Sequence, residues 1–456
     1  MGTPTVKLTE TLAAFAAETS GVAIPPDVRG RALALIIDFC ASIVRAAQDS
    51  ESTPVILAMV ERLGLSSANS CTVFGLNRRY GAAAAALLNG ALGHSLDFDD
   101  THAKSSLHPS APVVPAAFAI GELVGSKGED VIAAVIVGFE VCCRVGNALE
   151  PTAHYARGFH PTATAGIFGA TASAGRLLGL DAAAMQAAFG VAASQASGSL
   201  QFLENGAWNK RYQVGEAAMK GVMAAMLAAE GFIGAAAALE GKHGFLKGYS
   251  DEPLPDRAIA NLGIAWETMK IGLKPYPTCR YTHAAVDGLL TLRSAHDWQP
   301  DDVTRISVGL HRNGIALVGD PIEVKRRPRS VVDGQFSMPF AAAVALLRGR
   351  FTWDDYDLLG AETADVIADR VSVRHEPALE GRDHPFGAVL EVEARGRLHA
   401  MEIADPSGEP DTFPSAEVRA SKFDLLTRPI INEQSSKLFS RLSAMPLAAS
   451  LKEYFA

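Results

Sequence analysis

Two stretches of the chain repeat one local design: His102-Ala-Lys-Ser-Ser-Leu-His108-Pro109-Ser110 and His154-Tyr-Ala-Arg-Gly-Phe-His160-Pro161-Thr162. In each, a second histidine follows the first by six residues and stands before a proline and a hydroxyl residue. Proline is tolerated in a first helical turn, so each His-Pro pair predicts a helix start. The imidazoles of His108 and His160 would then sit where free backbone N–H groups and the positive end of a helix favour an anion. The chemistry this suggests is proton transfer beside a small carboxylate. His102 and His154 read as supporting residues.

Acidic groups gather just before the first of these motifs. Gly93-His94-Ser95-Leu96-Asp97-Phe98-Asp99-Asp100-Thr101-His102 places three carboxylates and two imidazoles at a helix end. A calcium loop is excluded, because no glycine stands sixth from Asp97 and His108 occupies the twelfth position, where Glu belongs. Asp97 is expected to orient an imidazole by hydrogen bonding. Asp99 and Asp100 read equally as caps or solvated acids and as functional groups.

Cations follow in two places. Trp208-Asn-Lys210-Arg211-Tyr-Gln-Val-Gly215 sets two positive charges before a helix expected to open at Gly215, and a cation aimed with a helix start makes a carboxylate clamp. Lys274-Pro-Tyr-Pro-Thr-Cys279-Arg280-Tyr-Thr-His283 offers Lys274, Arg280 and His283 to one anion from a loop stiffened by two prolines. The same stretch also reads as a plain interdomain loop. Cys279 lacks a Cys-His-Asn order, and no Gly-x-Ser-x-Gly elbow occurs, so covalent catalysis has no support. There is no glycine-rich phosphate loop and no His-x-x-x-His spacing, which ranks a metal below acid/base work. The five cysteines form no Cys-x-x-Cys pair, against a zinc ribbon or an iron–sulfur cluster.

These groups need a frame. The 456 residues exceed one ordinary core and predict two or three domains. Apolar residues make up 48% and charged residues 20%, with net charge −9 and no basic run, so a nucleic-acid surface is not expected. Apolar runs such as Val131 to Phe139 are short of a bilayer span, and the N-terminus lacks the form of a signal peptide. A cytoplasmic enzyme without membrane contact is the expectation.

From Leu8 to about Gly241 the periodicity is helical, with segments near 8–19, 26–48, 53–64, 80–95, 111–126, 129–149, 162–178, 182–197 and 215–230. After Pro-rich 251–257 the pattern changes. Ile306, Val308 and Leu310 alternate, as do Val371 and Val373, while 389–394 and 397–403, joined at Arg395-Gly396, predict a hairpin. Helices are expected at 282–294, 335–347 and 361–370. The fold class is mostly α: a large all-helical domain, 1–271 and 404–456, with a smaller α+β lid domain, 272–403, inserted before a helical C-terminal tail.

The segments Leu96-Asp-Phe-Asp-Asp-Thr-His102, Leu107-His-Pro-Ser110, Phe159-His-Pro-Thr162, Asn209-Lys-Arg-Tyr-Gln-Val-Gly215, Lys274 to His283 and Gln335-Phe-Ser-Met-Pro-Phe340 together resemble the MmgE/PrpD family, in the same order over nearly the full length. The family includes 2-methylcitrate dehydratase, cis-aconitate decarboxylase and an iminodisuccinate epimerase. The resemblance implies a helical domain with an α+β lid, a homodimer, no metal or organic cofactor, and a site at Asp97, His108, His160, Lys210 and His283. Where relatives often carry Tyr, this chain has Phe340, so a hydroxyl is missing there.

The reading that results is a cofactor-independent lyase acting on a small di- or tricarboxylate, first of all a hydro-lyase of the 2-methylcitrate dehydratase type. Decarboxylation or epimerisation is the alternative. His108 and His160 form the acid/base pair, with the two roles left open between them and Asp97 orienting one ring, and Lys210, Arg280 and His283, assisted by Lys274, bind carboxylates while charge develops. Phe340 motivates a second reading, a carboxylate-binding protein without turnover. The His/Asp cluster motivates a third, a metal hydrolase.

Overall fold

Small side chains at helical spacing decide how the first half of the chain packs. In the computed structural model, which describes residues 7–66, 70–382 and 384–455, the helices Leu8–Glu18, Pro26–Asp49, Thr53–Arg62, Ala82–Gly93, Ser110–Val124, Gly128–Ala148, Gly166–Leu177, Ala182–Gln195 and Asn209–Ala229 form one body. Prolines at the first turns of Pro26–Asp49 and Thr53–Arg62 and the Asp181 carboxylate, which accepts from Ala184 N–H at 2.8 Å, start three of them. The closest crossing is between Ala82–Gly93 and Asn209–Ala229. A methyl group on Gly90 would lie 2.8 Å from Gly215 Cα, and one on Gly215 would lie 2.3 Å from Leu87 O. Both positions therefore demand glycine, and the contact sets the end of one helix beside the start of the other.

The apolar run around Val131 proves longer than its sequence suggests. Helix Gly128–Ala148 is long and apolar enough to cross a membrane, with mean hydropathy 1.7 over an 18-residue window, yet that window is wholly buried inside the protein. A helix apolar on every side is what the centre of a large bundle requires.

The α+β part holds a four-stranded sheet in the order Val371–His375, Val303–Leu310, Ala388–Ala394, Arg397–Ile403, parallel at the first pair and antiparallel elsewhere. Ala388, Leu390, Val392 and Ala394 are buried while the residues between them are half-buried, the alternation of a sheet with one covered face. Helix His283–His296 covers that face, its Gly288 lying against Leu390. The predicted hairpin closes at Arg395 (φ +48°) and Gly396 (φ +72°), both left-handed as a two-residue turn demands. Helix Ala416–Ile431 returns to pack on Pro26–Asp49, with Lys422 Nζ 2.9 Å from both Asp38 Oδ2 and Phe98 O.

Candidate active site

Each His-Pro pair does begin a helix. Ser110–Val124 follows His108-Pro109, and Pro161–Thr164 follows His160 and leads into Gly166–Leu177. The helix carrying Lys210 begins at Asn209, six residues before the expected Gly215. Lys210 and Arg211 therefore lie in its first turn and diverge. Lys210 turns to the acidic loop; Arg211 is buried against Ser50 and Ser52, whose hydroxyls it meets at 3.3 and 3.4 Å.

A cavity lies between the helical body and the α+β part, and Asp97, His108, His160, Lys210, Lys274 and Arg280 all line it. Asp97 has φ +51°, a conformation that costs energy for any residue with a side chain. Lys210 pairs with its Oδ1, and Lys274 Nζ lies 3.1 Å from Oδ2 and 2.9 Å from the Asp97 carbonyl. Burial pushes the Asp97 carboxyl up, but the two ammonium groups outweigh it and hold it well below the usual range. Among these three groups, two cations on one carboxylate leave one positive charge.

Asp97 does not orient an imidazole, because its oxygens are taken by lysines. Asp99, two residues on, has that place. His94 Nδ1 lies 2.7 Å from Asp99 Oδ2, and His108 Nδ1 lies 3.4 Å from Asp99 Oδ1. The His94 ring meets His108 edge-on at 4.7 Å and stacks on His160 at 5.8 Å. Burial, with Lys274 and Lys210 adding repulsion and Asp99 opposing them, pushes the His108 imidazole down to about 3. Burial first, and then His94 and Lys210, hold the His160 imidazole well below its ordinary value. Gln213 Nε2 sits 2.8 Å from His160 Nδ1. Asp100 takes the capping role instead: its oxygens accept from Ser110 N–H at 3.1 Å and Ser110 hydroxyl at 2.5 Å, and burial pushes its carboxyl well up.

Residues 10–258 match the MmgE/PrpD N-terminal domain and residues 276–444 the MmgE/PrpD C-terminal domain. The chain belongs to the MmgE/PrpD family. It is 28% identical to a cis-aconitate decarboxylase-like protein of Aspergillus oryzae over 100% of this chain and 98% of the relative. It is 31% identical to a cis-aconitate decarboxylase of Aspergillus terreus over 77% of this chain and 75% of that protein. A human cis-aconitate decarboxylase is 31% identical over 59% of this chain and 56% of its own length.

Not every residue that the MmgE/PrpD resemblance suggests reaches the cavity. His283 is fully buried with both nitrogens engaged, Nδ1 by Arg280 Nη1 at 2.9 Å and Nε2 by Thr278 O at 3.0 Å, so it stands behind the cavity wall. Arg280 reaches the wall with its charge matched by Glu409, 2.7 Å from its Nε. Phe340 is absent from the lining. It packs on Phe351 and Tyr356, so the missing hydroxyl leaves no gap at the site, and the motive for a silent binding protein falls away. From the same motif Phe336 does face the cavity, its ring 5.3 Å from Lys210 Nζ.

The first histidine of each repeat has both ring nitrogens engaged by other parts of the protein, and His102 also lines the cavity. His102 bonds Ser105 and Glu267, at 2.7 and 3.0 Å, and His154 bonds Tyr249 O and Thr164, at 2.7 and 2.8 Å. Cys279 lines the cavity, but burial pushes its thiol up, away from the thiolate a nucleophile needs. Among the described residues, His94, Asp99 and His108 form the grouping suited to a metal ion, with ligand-type atoms within 4.8 Å of one another.

Sequence reasoning missed His94, the pairing role of Asp99, and Gln213. A signal for Gln213 existed: it follows Lys210 by three residues, the spacing of one helix face.

Proposed function

We propose that this protein is a lyase that removes carbon dioxide from a small unsaturated tricarboxylate of the cis-aconitate type. The observation that carries the reading is the mixed lining of the cavity. It sets Lys210, Lys274, His108 and His160 among the apolar side chains of Leu200, Phe202, Leu317, Phe336 and Phe386. A carboxylate held against apolar surface loses the hydration that stabilises its charge, and losing carbon dioxide relieves that cost. The carboxylates that remain are held by the lysines.

In such a substrate the bond from the methylene carbon to the departing carboxylate breaks, and its electron pair forms a new double bond. The pair of the old double bond moves to the far carbon, beside a second carboxylate, and a proton is added there. One proton is consumed and one carbon dioxide released. His108 is the proposed donor, because an arriving polyanion adds the negative charge that favours its imidazolium between substrate and Asp99. The lysines and Arg280 stabilise the charge that builds on the remaining carboxylates.

The hydro-lyase expectation gives way to this alternative, since the relatives named above carry names for decarboxylation. Purified protein incubated with cis-aconitate, citrate, 2-methylcitrate and iminodisuccinate, followed by mass spectrometry and gas release, tests it. Carbon dioxide from cis-aconitate is expected. Dehydration of 2-methylcitrate or citrate with cis-aconitate untouched would overturn it.

A further inference from the structure

Lys210 and Gln213 leave one face of helix Asn209–Ala229, separated by three residues. Lys210 takes Asp97, and Gln213 reaches an imidazole of the cavity, its Nε2 2.8 Å from His160 Nδ1. The opposite end of the amide fixes which way it faces. The backbone N–H of Ser199 donates to Gln213 Oε1 at 3.1 Å, and a backbone N–H can only donate. The amide NH2 therefore points at His160. That group has no lone pair to offer a ring N–H, so His160 Nδ1 must be the accepting, proton-free nitrogen. The ring's single proton is then on Nε2, which no described residue engages, on a side chain that lines the cavity. His160 is anchored from behind as well, its backbone N–H donating to Gly198 O at 3.1 Å. Adding a second proton would set an N–H against an N–H, beside the stacked ring of His94.

We propose that Gln213 is a positioning residue that locks His160 as a neutral ring carrying its proton on Nε2, so that His160 is a fixed hydrogen-bond donor to a substrate carboxylate and not a proton carrier. The role in turnover rests on the decarboxylase reading above; the placement of the proton does not. A group facing Nε2 must accept a hydrogen bond, and the carboxylate on which charge gathers as carbon dioxide leaves is such a group. His108 differs in kind, since its Nδ1 faces the Asp99 carboxylate, which favours a proton there.

The test is nitrogen NMR of protein labelled with ¹⁵N in its imidazoles, the His160 signals being those missing from His160→Asn. The wild-type ring is expected to show one protonated and one bare nitrogen, Nε2 and Nδ1 respectively, unchanged from pH 5.5 to 8.5. Gln213→Glu keeps the shape but supplies an acceptor, and is expected to move the proton to Nδ1 or to create a cation. With cis-aconitate as substrate it should lower kcat at least ~30-fold with KM within ~3-fold, and add a titration near neutral pH absent from the wild type. Gln213→Met, which removes the amide without an acceptor, should lower kcat less, ~5–10-fold. A wild-type His160 protonated on Nδ1, or titrating within that range, overturns the proposal even if no variant folds. So does a Gln213→Glu protein with wild-type spectrum and pH profile. Should cis-aconitate prove inert, the spectrum still decides the proton's place, and only the decarboxylase reading fails.

Discussion

The two His-Pro segments begin alike and end with different chemistry. In both, the first histidine ties its own loop to a neighbouring element and the second opens a helix into the cavity. The partners of the second imidazoles are opposite in kind: a carboxylate beside His108, an amide NH2 against His160. An acceptor stabilises a positive ring, whereas a donor forbids one. A repeated local sequence thus fixes where a ring sits, and a residue far along the chain fixes what it can do.

The strongest way to break that comparison is to remove the ring expected to carry the proton. His108→Ala should lower carbon dioxide release from cis-aconitate about 1000-fold, the scale of a lost general acid, with an unchanged circular dichroism spectrum. Equal losses in kcat for His108→Ala and His160→Ala, with matching pH profiles, would mean the two rings are not distinguished by their partners.

Asp99→Asn tests the partner alone. It takes the charge from between His94 and His108, and kcat should fall about 100-fold.

Stability should report the neutral rings. Burial holds His94, His108 and His160 below their unfolded values, so between pH 3 and about 6.5 the unfolded chain binds more protons at these rings than the folded one. The three rings therefore make stability rise with pH across that window, while the buried Asp38, Asp100, Glu122 and Glu140 carboxyls, pushed up in the fold, act in the opposite direction. The depressed Asp97 and Asp99 carboxyls add a loss below about pH 4. Calorimetry from pH 4 to 8 on the wild type and on His108→Gln isolates one ring: the melting temperature of the wild type relative to the variant should rise between pH 4 and 7, and a difference that falls over that range contradicts it.

His154→Ala, on a first histidine, should cost about 1–3 kcal/mol by leaving Tyr249 O and Thr164 without their partner, while kcat changes less than ~3-fold. Gly90→Ala should cost a similar 1–3 kcal/mol through its clash with Gly215, read as a lower denaturant midpoint.

Much of the frame was legible because it is built from regular repeats. The helix expected at 129–149 runs Gly128–Ala148, and the hairpin strands lie at Ala388–Ala394 and Arg397–Ile403. The start of the Lys210 helix was misread for a definite reason: Gly215 looks like a boundary but serves a close crossing inside the helix, and Trp208 at the true start offers no capping side chain. The acidic loop was harder. Asp97, Asp99 and Asp100 are alike in sequence, and it is the left-handed backbone at Asp97 and the arrival of Lys210 and Lys274 from 113 and 177 residues away that sort them into ion pair, imidazole partner and cap. Phe340 drew attention by departing from a pattern, yet only packing could place it outside the cavity.

Two parts of the chain line the cavity. Four of the groups proposed to act on charge, together with Leu200 and Phe202, stand on the helical body or the loop leading from it, whereas Leu317, Phe336 and Phe386 come from the later part of the chain. Changes of size in those three side chains would reshape the space for a new acid, with Phe336, whose ring lies 5.3 Å from Lys210 Nζ, the one that also touches a lysine. A lineage built this way can shift its diet while keeping its tools, and swapping those three residues is where an engineer seeking a different acid should begin.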